Sequence, residues 1–114
     1  MCSERLMNII ETNKSVFDRF QWLDAMVAFK GEIRPYYILH FYSCDNILDN
    51  EATLWLNTRL KDVVRPAFKK EIVRKHAIFS YKQGSDIPYV SLSMRTAIID
   101  AKLDGIIFES ARVV

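Results

Sequence analysis

Two long apolar, aromatic runs with one glycine between them constrain this chain more than any other feature. The first runs from Phe20 to Lys30 and carries Trp22, Leu23, Met26, Val27 and Phe29. The second, Arg34-Pro35-Tyr36-Tyr37-Ile38-Leu39-His40-Phe41-Tyr42, follows directly after Gly31-Glu32. Aromatic and β-branched side chains suit a pleated surface, and a short glycine-containing break lets the chain reverse, so the pair predicts a β-hairpin. Pro35 has no N–H to give to a ladder and is expected at the start of its strand. The second run hardly alternates between apolar and polar, which predicts a central strand buried on both faces.

The flanks of this hairpin read as helices and shorter strands. Ser3 is placed to cap a helix in which Leu6, Met7, Ile9 and Ile10 form one stripe, ending near Asn13. Ser91 or Ser93 can cap a second helix with Met94, Ala97, Ile98 and Ala101 on one face. Asp104-Gly105 is expected to end it, with Gly105 in a left-handed position, and Ile106-Ile107-Phe108 to form a last, buried strand. His76 to Lys82 reads as a strand, residues 83–86 as a loop, and Pro88 to Ser91 as a short extended piece. Between 47 and 75 the pattern is weaker. Ile47-Leu48-Asp49 fits a helical turn, Glu51 to Leu60 fits strand or helix, and Pro66 argues against one continuous helix over 59–75. The order predicts an α+β fold: one mainly antiparallel sheet with two amphipathic helices on it, in a single domain over 1–114.

Composition bounds the function classes. Half of the 114 residues are apolar, enough to bury one core without covalent staples. Two cysteines, Cys2 and Cys44, are too few for a secreted disulfide scaffold. Met1 to Arg5 has no apolar run of the signal-peptide kind, and no stretch reaches the length that spans a bilayer. A cytoplasmic protein with no membrane partner is expected. The net charge of +2 implies no nucleic acid by itself.

Candidate chemistry is sparse. His40, Cys44, Asp45 and Asp49 are close in sequence, but no Cys-x-x-Cys or His-x-x-x-His pairing accompanies them, so no metal is expected. Cys44 with His40 or His76 could form a nucleophile and base, yet no orienting group or oxyanion motif is legible. Gly31, Gly84 and Gly105 lie far apart, so no phosphate loop or dinucleotide fingerprint exists. Neither a cofactor nor an enzymatic activity is expected. Asp45, Asp49 and Glu51 form an acidic turn that suits a solvated surface or a recognition edge. Arg59, Lys61, Arg65, Lys69, Lys70, Arg74 and Lys75 stand against Asp62 and Glu71, interleaved with Leu60, Val63, Val64, Phe68, Ile72 and Val73. The interleaving predicts a solvated basic face over a buried apolar one, with phosphate binding as the alternative.

The string as a whole carries a family likeness. Ser3-Glu4-Arg5-Leu6 opens a helix, Tyr36-Tyr37-Ile38-Leu39 leads to Cys44-Asp45-Asn46-Ile47-Leu48-Asp49, and Ala77-Ile78-Phe79-Ser80-Tyr81-Lys82 precedes Pro88-Tyr89-Val90-Ser91. A further helix then leads to Leu103-Asp104-Gly105-Ile106-Ile107-Phe108-Glu109. Over nearly all of 3–110 this resembles the eleventh immunity-protein family of bacterial polymorphic-toxin systems, typified by a Myxococcus protein. The chain differs in being shorter than typical members at its N-terminal end and in carrying Cys44 where an apolar residue is expected. The resemblance implies a protein that protects its cell by binding and neutralising a cognate toxin protein, and it brings no catalytic residue. A toxin with a basic cleft would favour Asp45, Asp49 and Glu51, with Asp86 in the 83–86 loop as a further contact; an acidic cleft would favour the 59–76 segment. Sheet edges left open by hairpins also make a homodimer expected. The competing readings are a small nucleic-acid-binding or regulatory module using residues 59–76, and a small enzyme using Cys44 and a histidine.

Overall fold

The computed structural model describes residues 2–42, 46–60, 62–81 and 87–114. Its longest feature is the hairpin. Strands β1 (Phe20–Phe29) and β2 (Glu32–Phe41) pair antiparallel without a break in register, from Phe20 opposite Phe41 to Phe29 opposite Glu32. Lys30 and Gly31 connect them with φ of 50° and 78°. Two successive left-handed residues make the two-residue turn whose twist matches that of the strands.

Backbone direction explains how β2 accommodates its proline. The N–H of Cys2 donates to the Tyr37 carbonyl at 2.7 Å, and the N–H of Tyr37 donates to the Cys2 carbonyl at 2.8 Å. The backbone polar groups of Tyr37 therefore point away from β1, and by the two-residue alternation so do those of Pro35 and Ile33. Pro35 lies inside the strand, opposite Met26, rather than at its start. It is tolerated there because its missing N–H removes no bond to β1. Nor is β2 a central strand: it pairs with β1 on one side and, among the described residues, with Cys2 alone on the other, and residues 32–35 are exposed.

The base of the hairpin is seated in the first core. Helix α1 (Glu4–Asn13) starts at Ser3, whose Oγ accepts the Leu6 N–H at 3.3 Å, and buries Ile10. Helix α3 (Leu92–Asp100) starts at Ser91, whose Oγ accepts the Met94 N–H at 3.2 Å, and buries Met94 and Ile98. These residues meet Phe41, Ala77 and Ile78, with Leu6, Ile9, Phe20, Trp22 and Leu39 packed around them. One face of the hairpin base and one face of each helix thus close the core, as the i, i+3, i+4 stripes require.

A second core lies across the chain. Ile47, Phe68 and Phe79 are buried, with Ile72, Val73, Tyr81 and Tyr89 against them. Phe68 meets Tyr89 edge-on at 4.6 Å and Phe79 at 5.1 Å between ring centroids, a favoured arrangement of aromatic quadrupoles. Burial among these rings, with Tyr81 close by, raises the Tyr89 phenol above its ordinary pKa. Short elements frame this core: β5 (Ala67–Phe68), α2 (Lys70–Val73), β6 (Ile78–Phe79), β7 (Tyr89–Val90) and β8 (Arg112–Val113). Strands β3 (Leu54–Asn57) and β4 (Asp62–Arg65) form a smaller hairpin beside it.

The fold is α+β, but its strands form two-stranded ladders rather than one sheet: β1–β2, β3–β4 and β6–β7 antiparallel, β5–β8 parallel. The C-terminal region departs most from expectation. Ile106-Ile107-Phe108 is not a strand: Ile106 and Phe108 pack on the first core by their side chains, and Ile107 is 88% exposed. The last strand is β8, held in place as the Val114 N–H donates to the Phe68 carbonyl and the Lys70 N–H to the Val114 carbonyl, both at 2.8 Å. Helix α3 also ends earlier than Asp104. Ala101 caps it and Lys102 takes the left-handed conformation at φ 53°, leaving Gly105, at φ 80°, to turn the following loop.

Candidate functional site

The acidic turn was the first place to expect a surface for a partner. Asp45 and Asp86 lie outside the described residues, as do Cys44 and the rest of the 83–86 loop. Asp49 is half-buried and organises the turn: its Oδ1 accepts the N–H groups of Glu51 at 3.1 Å and Ala52 at 2.9 Å. Its own N–H donates to the Ala67 carbonyl at 2.8 Å, tying the turn to β5. An aspartate that accepts from the residues two and three ahead is a local substitute for a backbone turn. Glu51 is exposed at the rim.

The turn feeds directly into the β3–β4 hairpin. Thr53 anchors the junction, its buried hydroxyl accepting the Ala67 N–H at 3.1 Å and donating to the Ala67 carbonyl at 3.3 Å. The hairpin then shows two unlike faces. Trp55 and Val63 are opposite each other and half-buried, and the Trp55 indole N–H donates to the Asn50 carbonyl at 3.1 Å. Leu54, Leu56 and Val64 point outward, with Leu56 76% exposed. At the loop, Asn57 Oδ1 accepts the N–H groups of Arg59 and Leu60, and Leu60 is 68% exposed. Arg59, Asp62 and Arg65 of the same hairpin and Glu51 of the turn that feeds it are also exposed. An apolar centre with a charged rim is the make-up of a surface that meets another protein.

This surface differs from the sequence reading of the basic segment. Phe68 is buried and Ile72 and Val73 are half-buried, as the interleaving predicted, but Leu60 and Val64 face solvent. The alternation Leu54-Trp55-Leu56 was the available signal, and it marks two faces without saying which one is covered. Lys70, Arg74 and Lys75 are exposed on α2 and just after it.

The residues singled out for catalysis have other surroundings. His76 Nδ1 lies 3.1 Å from Asp18 Oδ1. The Asp18 side chain is fully buried and also accepts from the N–H groups of Ser15 at 2.7 Å, Ala77 at 3.0 Å and Ile78 at 3.3 Å. That arrangement fastens the turn before β1 to the segment leading into β6. His40 is half-buried in β2 opposite Gln21. Burial pushes the Cys2 thiol above its ordinary pKa, against the pull of the adjacent terminal ammonium. A shallow groove of about 340 Å³ runs between α1 and α3, lined by Arg5, Asn8, Ile9, Thr12, Asn13 and Ala97. Three of its polar side chains bond to helix carbonyls: Arg5 to Ala101, Thr12 to Asn8 and Asn13 to Ile9. Among the described residues no three His, Cys, Asp or Glu side chains converge as metal ligands, and no helix is long and apolar enough to cross a membrane. No protein-family model, curated protein or solved structure matches the chain.

Proposed function

We infer that this chain is a cytoplasmic immunity protein that binds a bacterial toxin and neutralises it by contact, using the β3–β4 hairpin and the adjoining Asp49–Glu51 turn. The observation that carries the reading is that one short hairpin leaves Leu54, Leu56, Leu60 and Val64 exposed, directly after the turn that holds exposed Glu51. The resemblance of residues 3–110 to an immunity family supplies the nature of the partner. A preformed hairpin suits inhibition, because less order is lost on binding than with an unfolded segment, and apolar anchors hold a complex while charges nearby speed encounter.

The test is co-purification of the tagged chain with a toxin-domain protein from its own bacterium, followed by assay of that toxin's activity. A stoichiometric complex that persists at high salt and abolishes the activity is expected. Leu56→Asp with Val64→Asp should weaken it by about 100-fold, roughly 3 kcal/mol, because two desolvated anchors are lost. Both side chains face solvent, so the variant's circular dichroism should match the parent's. Unchanged toxin inhibition by the double variant would remove this surface from consideration. The exposed Lys70, Arg74 and Lys75 favour the nucleic-acid alternative. It predicts retention on nucleic acid that falls steeply with salt and with Lys70→Ala and Arg74→Ala.

A further inference from the structure

The two outer edges of the long hairpin differ in kind. On β2 the outward-pointing backbone is blocked twice: Cys2 occupies Tyr37, and Pro35 offers no N–H. Arg34 and Glu32, joined at 2.8 Å, add charge near the tip. These are devices by which proteins keep a sheet edge from pairing. Strand β1 has none of them. Phe20 to Phe29 contains no Lys, Arg, Pro or Gly, and Asp24 is its one charge. Because Tyr37 opposite Asp24 points outward, the pairing alternation turns the backbone groups of Trp22, Asp24, Met26 and Ala28 away from β2. Among the described residues these four groups meet no ladder partner.

We propose that β1 pairs with β1 of a second copy, antiparallel about a two-fold axis at Ala25, making a continuous four-stranded sheet β2–β1–β1–β2. The register follows from two constraints. Only residues with outward backbone can exchange bonds, so even-numbered residues must pair with even-numbered ones. Two such registers use nearly the whole strand. One is centred on Asp24 and sets two like charges directly opposite, which is unfavourable. The other is centred on Ala25 and pairs Asp24 with Met26 and Trp22 with Ala28 of the second copy. It also brings Leu23 of each copy beside Val27 of the other. Val27 lines a depression of about 330 Å³ with Phe29, Glu32, Arg34 and Tyr36, so an apolar side chain arrives at its rim. Exposed Leu23, Ile38 and Phe29 then form one stripe across both copies. A ladder about 30 Å long with its flanking side chains covers on the order of 1,000 Å² in total, the lower limit for a specific interface.

The experiment is sedimentation of the full chain over roughly 1–100 µM, with residue-resolved amide exchange on the same samples. Expected is a concentration-dependent dimer in which the amides of Trp22, Asp24, Met26 and Ala28 slow in step with the dimer fraction, while those of their odd-numbered neighbours are already slow. Ala25→Lys and Ala25→Asp each put like charges together at the axis and should weaken association by about fivefold or more. An equimolar mixture of the two should restore it. A monomer at the highest concentration overturns the proposal, as does a dimer in which those four amides stay fast. Equal dimerisation of both variants and the parent overturns the register. If the variants do not fold, the parent's sedimentation and exchange decide alone.

Discussion

At the scale of single residues, the largest burden falls on Asp18. Its carboxylate has no solvent exposure and serves three backbone donors and His76. Truncation to alanine leaves buried N–H groups without acceptors, each costing about 1–3 kcal/mol. Asp18→Ala should therefore lower stability by about 3 kcal/mol or more, read as a shift in the urea midpoint; a loss below about 1 kcal/mol would show that water replaces the carboxylate. The Ser15 bond is local, but the bonds with His76, Ala77 and Ile78 could not be read from sequence, because those partners lie some sixty positions away. Glu11 gives a pH-dependent counterpart. Hydrogen bonds from Lys14 and from the Trp22 indole, each 2.6 Å, hold its carboxyl below the usual carboxylate range. The folded pKa is depressed, so the stabilisation is present above the ordinary value near 4.5 and fades as pH falls through the folded one. In a Trp55→Phe background, Trp22 fluorescence should change with a midpoint below 4.5, and Glu11→Gln should abolish that transition. A midpoint at or above 4.5 would contradict the contact.

At the scale of elements, legibility tracked how local the cause was. The Ser3 cap and the α1 stripe are decided within a few residues, and the structure places both as read. The long hairpin was legible for the same reason, since its turn and its two runs adjoin. Strand β8 was not, because Arg112 and Val113 become strand only by lying beside Ala67 and Phe68. Ile106-Ile107-Phe108 has the better strand composition but, among the described residues, no ladder neighbour. In the candidate site, the turn-forming character of Asp49 was visible, but that its carboxylate closes the turn was not. The outward direction of Leu56 and Val64 depends on which hairpin face meets the body, which composition does not encode. The hairpin turn offers a direct test at this scale. Lys30 holds φ 50° without the local side-chain bond that makes asparagine tolerant there. Lys30→Asn creates the Asn-Gly pair that this turn favours. It should raise stability by about 0.5–1 kcal/mol, seen as a higher thermal midpoint; an unchanged or lower midpoint would mean the Lys30 ammonium over the Phe29 ring contributes as much.

At the scale of the whole molecule, the chain is elongated. Its extents are 49 × 29 × 23 Å, and its radius of gyration of 15.3 Å exceeds the roughly 13 Å of a compact chain this long. The ten-residue strands of the β1–β2 hairpin, exposed over 28–35, contribute to that length, and the two surfaces proposed for partners lie on different hairpins, β3–β4 for a toxin and β1 for a second copy. The first core has a different consequence, one of timing. It draws Ile10, Phe41, Ile78 and Ile98 together, so it cannot close until α3 has left the ribosome. The hairpin needs only neighbours in sequence and forms within microseconds. During synthesis the chain thus carries a hairpin that is marginal on its own, with one bare edge and no seat for its base. Neighbouring nascent chains on one message meet each other in that state, so the edge proposed to pair mature copies would also offer unfinished ones a route to aggregation.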